Sequence, residues 1–279
     1  MPCYIILHNV PKSKAQIDLF TYPIQEGFRG FRDIPPGVHY VSVKTRNGYP
    51  SFWCYLKSNE TISKVFNNIS QEFEDDDPAE TAYYQELASL GAMDAELIAY
   101  ESERAATWLL LTNDIKYSHF PVTLHSKQPN SIAATSSAES LQAGRQSDHK
   151  SEFAKVLFDT HGGDAVAFLA EFQFAFARWF VSELDCPDIE ALNHWRYLVE
   201  AVCNAEISDL AKAATAIATL VGNLITQLES VDDSLLNAND PIVISVRHLA
   251  QEMVNSDIEN FVKEGHQLKY FLKKRWNLT

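Results

Sequence analysis

Residues 164–181 read DAVAFLAEFQFAFARWFV, and this stretch decides the fold of the second half of the chain. Phe168, Phe172, Phe176 and Phe180 recur every four residues, the spacing that stacks side chains along one helical face. Ala165, Leu169 and Val181 widen the stripe, and Asp164 stands where a carboxylate caps a first turn. A helix with so broad an apolar face belongs at the centre of a bundle. Downstream the pattern repeats. Residues 189–206 align Leu192, Trp195, Val199 and Val202, and residues 207–228 align Leu210, Ala214, Ile217, Val221, Leu224 and Leu228. Asp240-Pro241 gives a cap and a proline at the first helical position, ahead of Val246, Leu249 and Met253. Ser256 is placed to cap a last helix carrying Ile258, Phe261, Val262, Phe271 and Leu272, whose basic end, Lys273-Lys274-Arg275, suits the negative end of the helix dipole. Residues 151–279 therefore read as all-helical.

Upstream the character changes. Residues 125–150 contain no aromatic residue and are rich in Ser, Gln and Ala, so they read as a polar linker. Residues 1–124 read as β-rich with some helices. The run at 4–7 is a buried strand, and 38–44 alternates as a strand should. Ser51–Leu56 is a second, aromatic strand, joined to it through TRNGYP, whose Asn47-Gly48 pair suits a tight hairpin turn. Pro35-Pro36-Gly37 forms a turn ahead of the 38–44 strand, because neither proline can donate a ladder hydrogen bond. The spacing of Ile62, Val65, Phe66, Ile69 and Phe73 predicts a helix over 60–73. Further helices are predicted over 79–90 and over 101–115, where Trp108, Leu111 and Ile115 share a face. The fold class is α+β: a β-rich N-terminal domain (1–124), a linker (125–150) and an α-helical C-terminal domain (151–279).

The 279 residues carry 23 basic and 37 acidic side chains, a net charge of −14, distributed as −6, +1 and −9 over these three segments. An acidic chain lacks the cationic footprint that grips a phosphate backbone, so no direct nucleic-acid contact is expected. The apolar stretches are interrupted by Glu171, Gln173 and Arg178, or by Asn223, so no membrane association is expected either. The start, MPCYIILHNVPKSK, does not read as a signal peptide. Cys3, Cys54, Cys186 and Cys203 form no CxxC pair, which fits a reducing compartment and proposes no metal or disulfide framework. No cofactor motif occurs: GxGxxG, GxxxxGK[ST], GxSxG, HExxH and the EF-hand loop are all absent. The pattern carries no signal for an oligomeric state.

Four features admit a chemical and a plainer reading. Asp75, Asp76 and Asp77 can hold a divalent cation, but read first as a solvated loop before a helix. His161-Gly162-Gly163-Asp164 can form an anion nest, but reads first as a loop and a cap. Cys203 and His194 suggest a thiol nucleophile, but lie nine residues apart, and Cys203 reads as core. Glu171, set among phenylalanines beside Gln173, can be a shifted acid, working with His39 or His194. More simply, it pairs with an arginine or caps a neighbouring loop.

Residues 28–41, FRGFRDIPPGVHYV, and 169–176, LAEFQFAF, followed by HWRYLVEAVCNAE at 194–206, resemble the signature segments of the A1 cistron-splicing factor family. YIILHNVPK at 4–12, QIDLFTY at 16–22 and WLLLTNDI at 108–115 are similar to its weaker segments; Gln16 stands where the family has glycine. The resemblance implies a β-rich domain joined to a VHS-like helical domain. It implies a non-enzymatic assembly chaperone, without cofactor or metal, that binds the large central spliceosomal scaffold protein and holds back a helicase until the particle matures. Such a protein is cytoplasmic, and nuclear as well in a eukaryote. On this reading Pro35, Pro36 and Gly37 shape the turn, Phe172 and Phe176 fill the helical core, and the polar motif members Arg29, Arg32, His39, Glu171 and Gln173 are the candidates for a shared binding interaction. The linker serines are candidate phosphorylation sites for partner release. In an organism without a spliceosome the same fold implies a peptide- or small-molecule-binding role instead.

Overall fold

A computed structural model describes residues 3–120, 151–183 and 187–278. The linker expected at 125–150 and Cys186 lie outside them. The described residues fall into two units, a β-rich one followed by a helical one, as an α+β chain requires.

The first unit holds nine strands: β1 (Cys3–His8), β2 (Lys14–Ile17), β3 (Phe20–Pro23), β4 (Gly30–Ile34), β5 (Gly37–Val43), β6 (Ser51–Leu56), β7 (Thr61–Asn67), β8 (Glu72–Asp75) and β9 (Leu97–Ala99), with helices α1 (Pro78–Ser89) and α2 (Ser102–Thr112). They build a mixed sheet in the order β8-β7-β1-β4-β9 and an antiparallel sheet in the order β3-β2-β5-β6. Ile5 and Leu7 of β1 join Ile17, Phe31, Val41, Val43 and Leu56 in the core shared by the two sheets. Ile6 faces the other way and packs with Ala88, Met93 and Leu97. The unbroken apolar run at 4–7 is thus buried on both faces, as a central strand with a parallel neighbour should be. Gly30 is required here. It takes φ +128°, and a Cβ on it would stand 1.9 Å from the Ile5 carbonyl oxygen.

β5 and β6 form the expected hairpin, with Val41 opposite Phe52. Its loop is wider than a two-residue turn: Val43 N–H donates to Pro50 O at 3.0 Å, and Gly48, not Asn47, takes the positive φ. On α2, Trp108 is fully buried and donates its indole N–H to Val38 O at 2.8 Å, so that prediction of a helix holds. The helix expected over 60–73 is instead the β7–β8 hairpin. β7 runs parallel to β1, from Tyr4 opposite Thr61 to His8 opposite Val65, and Gln71 turns the chain at φ 59°. Ile69, a core position in the helical reading, is 96% exposed at the hairpin tip. The β-branched residues Thr61, Ile62 and Val65 and the free edge of β1 outweigh the coincidental helical spacing.

The second unit is helical: α3 (Glu152–Lys155), running into a wider π-helical turn (Val156–Thr160), then α4 (Ala165–Ser182), α5 (Ile189–Cys203), α6 (Ile207–Leu210), α7 (Ala214–Ser230), α8 (Pro241–Val254) and α9 (Glu259–Trp276). α4 packs against α5 and α7, and α8 against α5 and α9. At the centre Trp195 is fully buried, stacks on Trp179 at 5.2 Å between ring centroids, and donates to Gln227 Oε1 at 2.9 Å. α4 has the 18 residues and the apolar composition that can cross a bilayer, beyond what its interrupting polar residues suggested. Its buried residues, Phe168, Phe172 and Phe176 among them, face the helical core.

Three local readings change. The single helix expected over 207–228 is divided by a 3-10 turn at Ala211–Ala213. Ser256 does not cap α9; its hydroxyl donates to Met253 O at 2.9 Å, which finishes α8. Arg275 does more than oppose its own helix dipole. It donates to the carbonyls of Leu228 and Val231 at the end of α7, and its Nη2 lies 2.9 Å from Asp233 Oδ1.

Candidate functional site

The 28–41 segment supplies β4, the proline turn and the start of β5, and its histidine points inward. His39 Nε2 donates to Pro35 O at 2.8 Å, and His39 Nδ1 lies 2.8 Å from Asp18 Oδ2. Asp18, just past β2, takes φ 52°, a left-handed conformation that aspartate tolerates better than most residues. Its Oδ1 accepts Tyr40 N–H at 2.9 Å and its Oδ2 accepts the Tyr100 hydroxyl at 2.6 Å. Both side chains of the Asp18–His39 pair are fully buried. Burial, reinforced by the Asp18 charge, pushes the Tyr100 hydroxyl up, so it stays a donor. Gln16 closes the network. Its Nε2 donates to Asp18 O at 2.6 Å, and its Oε1 accepts the Ser42 hydroxyl at 3.3 Å. The residue that departs from the family's glycine is therefore built into the lock. Sequence reasoning left Asp18 and Tyr100 out of the candidate residues. The available signal was a carboxylate inside the apolar run Ile17-Asp18-Leu19-Phe20, where burial demands partners.

The other members of the segment face outward to different degrees. Arg29 Nε lies 3.1 Å from Glu96 Oε2, and both side chains are nearly half exposed. Arg32 pairs with its neighbour Asp33, and its Nε is buried without a hydrogen-bond partner among the described residues. Pro36 is exposed, while Pro35 and Gly37 are half-buried. The surface of the motif is thus Asp33 and Pro36, with the half-buried Arg29 and Arg32 beside them, above the buried lock.

In the helical unit Glu171 meets neither an arginine nor His39. Its Oε2 pairs with His161 Nε2 from the loop before α4, and its Oε1 lies 2.8 Å from His194 Nε2 on α5. Burial works to raise its pKa, but the hydrogen bonds from the two histidines outweigh it and hold the carboxyl at about 2. A carboxyl so held is a weak base and no proton donor near neutrality, which suits a clamp better than acid–base chemistry. Gln173 is fully buried.

The remaining candidates resolve into structure. Gly163 N–H donates to Leu157 O at 2.8 Å and Gly162 N–H to Phe158 O at 3.1 Å, so the amides of the supposed nest are used internally. Asp164 caps α4 at Val166 and Ala167. Asp75 pairs with Lys64, Asp76 with Ser63, and Asp77 caps α1. No metal-holding group of His, Cys, Asp and Glu occurs among the described residues. Cys203 is buried, and desolvation pushes its thiol up, away from nucleophilic use.

Comparison with known proteins bears on the whole chain. Residues 1–129 match the profile of the AAR2 N-terminal domain, and residues 124–279 match that of the AAR2 C-terminal repeat region. A stretch of 105 residues is 32% identical to the Protein AAR2 homolog of Caenorhabditis elegans. It spans 37% of this chain and 29% of the worm protein, less than a third of that relative's length. The two profiles together run from residue 1 to residue 279, and the chain belongs to the AAR2 family, the A1 cistron-splicing factor family.

Proposed function

We propose that this protein acts without catalysis, as an assembly factor that binds the large central spliceosomal scaffold protein and delays a helicase until the ribonucleoprotein particle matures. The observation that carries this reading is the match of AAR2 family profiles along the entire chain. Two structural features support it. The titratable clusters in both units are locked by internal partners, Asp18 with His39 and Glu171 with His161 and His194. The outer part of the 28–41 motif, exposed Asp33 and Pro36 with the half-buried, ion-paired Arg29 and Arg32, offers charged side chains and a turn to a protein surface rather than a reactive group to a small substrate. We place the protein in the cytoplasm and nucleus, where such particles are assembled, and assign its contacts to protein rather than to RNA.

The test is a tagged, nuclease-treated pull-down from native lysate with mass spectrometry of the stoichiometric partners. The proposal expects the scaffold protein, and expects R29E/R32E to weaken its recovery. Recovery of a different single protein redirects the pathway, and an absence of any protein partner overturns the adaptor role.

A further inference from the structure

The charge of the helical unit is not spread evenly. Residues 151–240 carry four basic against fifteen acidic side chains, or −11, while residues 241–279, which form α8 and α9, carry six basic against four acidic, or +2. The excess comes from α9, where Lys263, Lys269, Lys273, Lys274 and Arg275 stand against Glu259 and the buried Glu264, while on α8 Arg247 is accompanied by the exposed Glu252. Between these two helices lies an open cleft of about 320 Å³, at the low end of the range for specific binding sites. Ile244, Leu272 and Leu278 give it apolar walls, and Arg247, His248 and Lys269 stand around it. Ile244 is 57% exposed although it is a large apolar side chain. Lys269 Nζ is 2.6 Å from Gln251 Oε1, so this cation is held over the cleft by a neutral amide and not neutralised there. Tyr270 is 71% exposed next to it on α9.

We infer that the α8–α9 cleft is a docking site for an acidic, amphipathic segment of a partner protein, whose apolar side chains seat on Ile244 and Leu278 while its carboxylates meet Arg247 and Lys269. Charge complementarity selects this occupant. On a chain of net charge −14, cations beside an apolar cleft draw in an acidic ligand that the rest of an acidic surface repels. The exposed Ile244 beside the half-buried Leu278 asks for side chains with no hydrogen-bonding needs, which a sugar–phosphate backbone does not offer. The inference takes from the proposed function only that the chain works by protein contact, and its test uses neither the scaffold protein nor a lysate, so the two can fail separately.

The experiment is fluorescence anisotropy on the full chain with a labelled panel of short acidic peptides bearing leucine pairs at helical spacing. Each is matched by a peptide with lysine in place of every acid and by one with alanine in place of the leucines. The inference expects at least one acidic leucine peptide to bind with salt-sensitive affinity, and both matched controls to bind roughly tenfold more weakly or worse. R247E/K269E should weaken binding by about tenfold, and I244A by several-fold, since all three residues lie at the surface and the fold should persist by circular dichroism. K12E/K116E makes the same change in net charge on the first unit and should leave binding unchanged. Four results overturn the inference: no acidic peptide binds; the charge reversal in the cleft has no more effect than the distant one; single-stranded RNA binds there in preference; or light scattering shows that R247E/K269E dissolves a dimer, which makes the occupant a second copy of this chain.

Discussion

At the scale of single residues, two hydrogen-bonded clusters explain what the polar motif members do. The Pro35 carbonyl can only accept, so His39 Nε2 carries a proton, and a further proton is held between Nδ1 and the Asp18 carboxyl. Removing one partner leaves the other buried and unsatisfied. D18A should therefore cost about 3–5 kcal/mol, and Y100F about 1–2 kcal/mol, measured by urea unfolding followed through tryptophan fluorescence. Glu171 gives a prediction in pH. Its folded pKa of about 2 lies below its ordinary 4.5, so its stabilisation is complete above pH 4.5 and is lost as pH falls toward 2. The loss should be on the order of 2 kcal/mol, allowing for screening at its partly open edge, and E171Q should flatten the decline between those pH values. The sequence made His39 and Glu171 visible as polar residues on apolar faces. It did not show their partners, because Asp18, Tyr100 and His161 come from distant segments and only the fold brings them to hydrogen-bonding distance.

At the scale of elements, legibility followed how much the local pattern agreed with the tertiary demand. The phenylalanine spacing of α4 and the Asp240-Pro241 start of α8 could be read because periodicity, capping and burial all point one way. The 60–73 segment failed because its helical spacing was accidental: Ile69 lies in a turn, and β7 completes its hydrogen bonds on β1, which no local window contains. Two glycines mark where elements approach too closely for a side chain. Gly30 lets β4 pair with β1, and G30A should destabilise the first unit by about 3 kcal/mol or more, since the clash is with backbone and the φ is positive. Gly265 on α9 crosses the end of α8, where a Cβ would meet Val254 N and Met253 Cβ at 2.9 Å. G265A should cost about 1–3 kcal/mol in the helical unit, read from its thermal midpoint. That such a close helical crossing exists was not legible, because an isolated glycine in a helical pattern looks the same whether it packs or merely weakens the helix.

At the scale of the whole molecule, the sequence already divided the chain by chemistry: strands and aromatics first, a helical bundle last. The structure has the same order, with two sheets sharing one core and α4 packed among its neighbours. Family membership rests on both parts together, since the two AAR2 profiles each cover one of them. The uneven charge of the helical unit was present in the composition but unread, because a net value over 151–279 averages an acidic stretch with the basic α8–α9 pair. On the proposed function, this chain works by binding the spliceosomal scaffold protein. The most direct test is calorimetric titration of the purified full chain with the purified scaffold protein, nuclease-treated, beside R29E/R32E. The proposed function predicts a stoichiometric complex of micromolar affinity or tighter that the variant weakens. The absence of any complex at concentrations tens of times higher would contradict it.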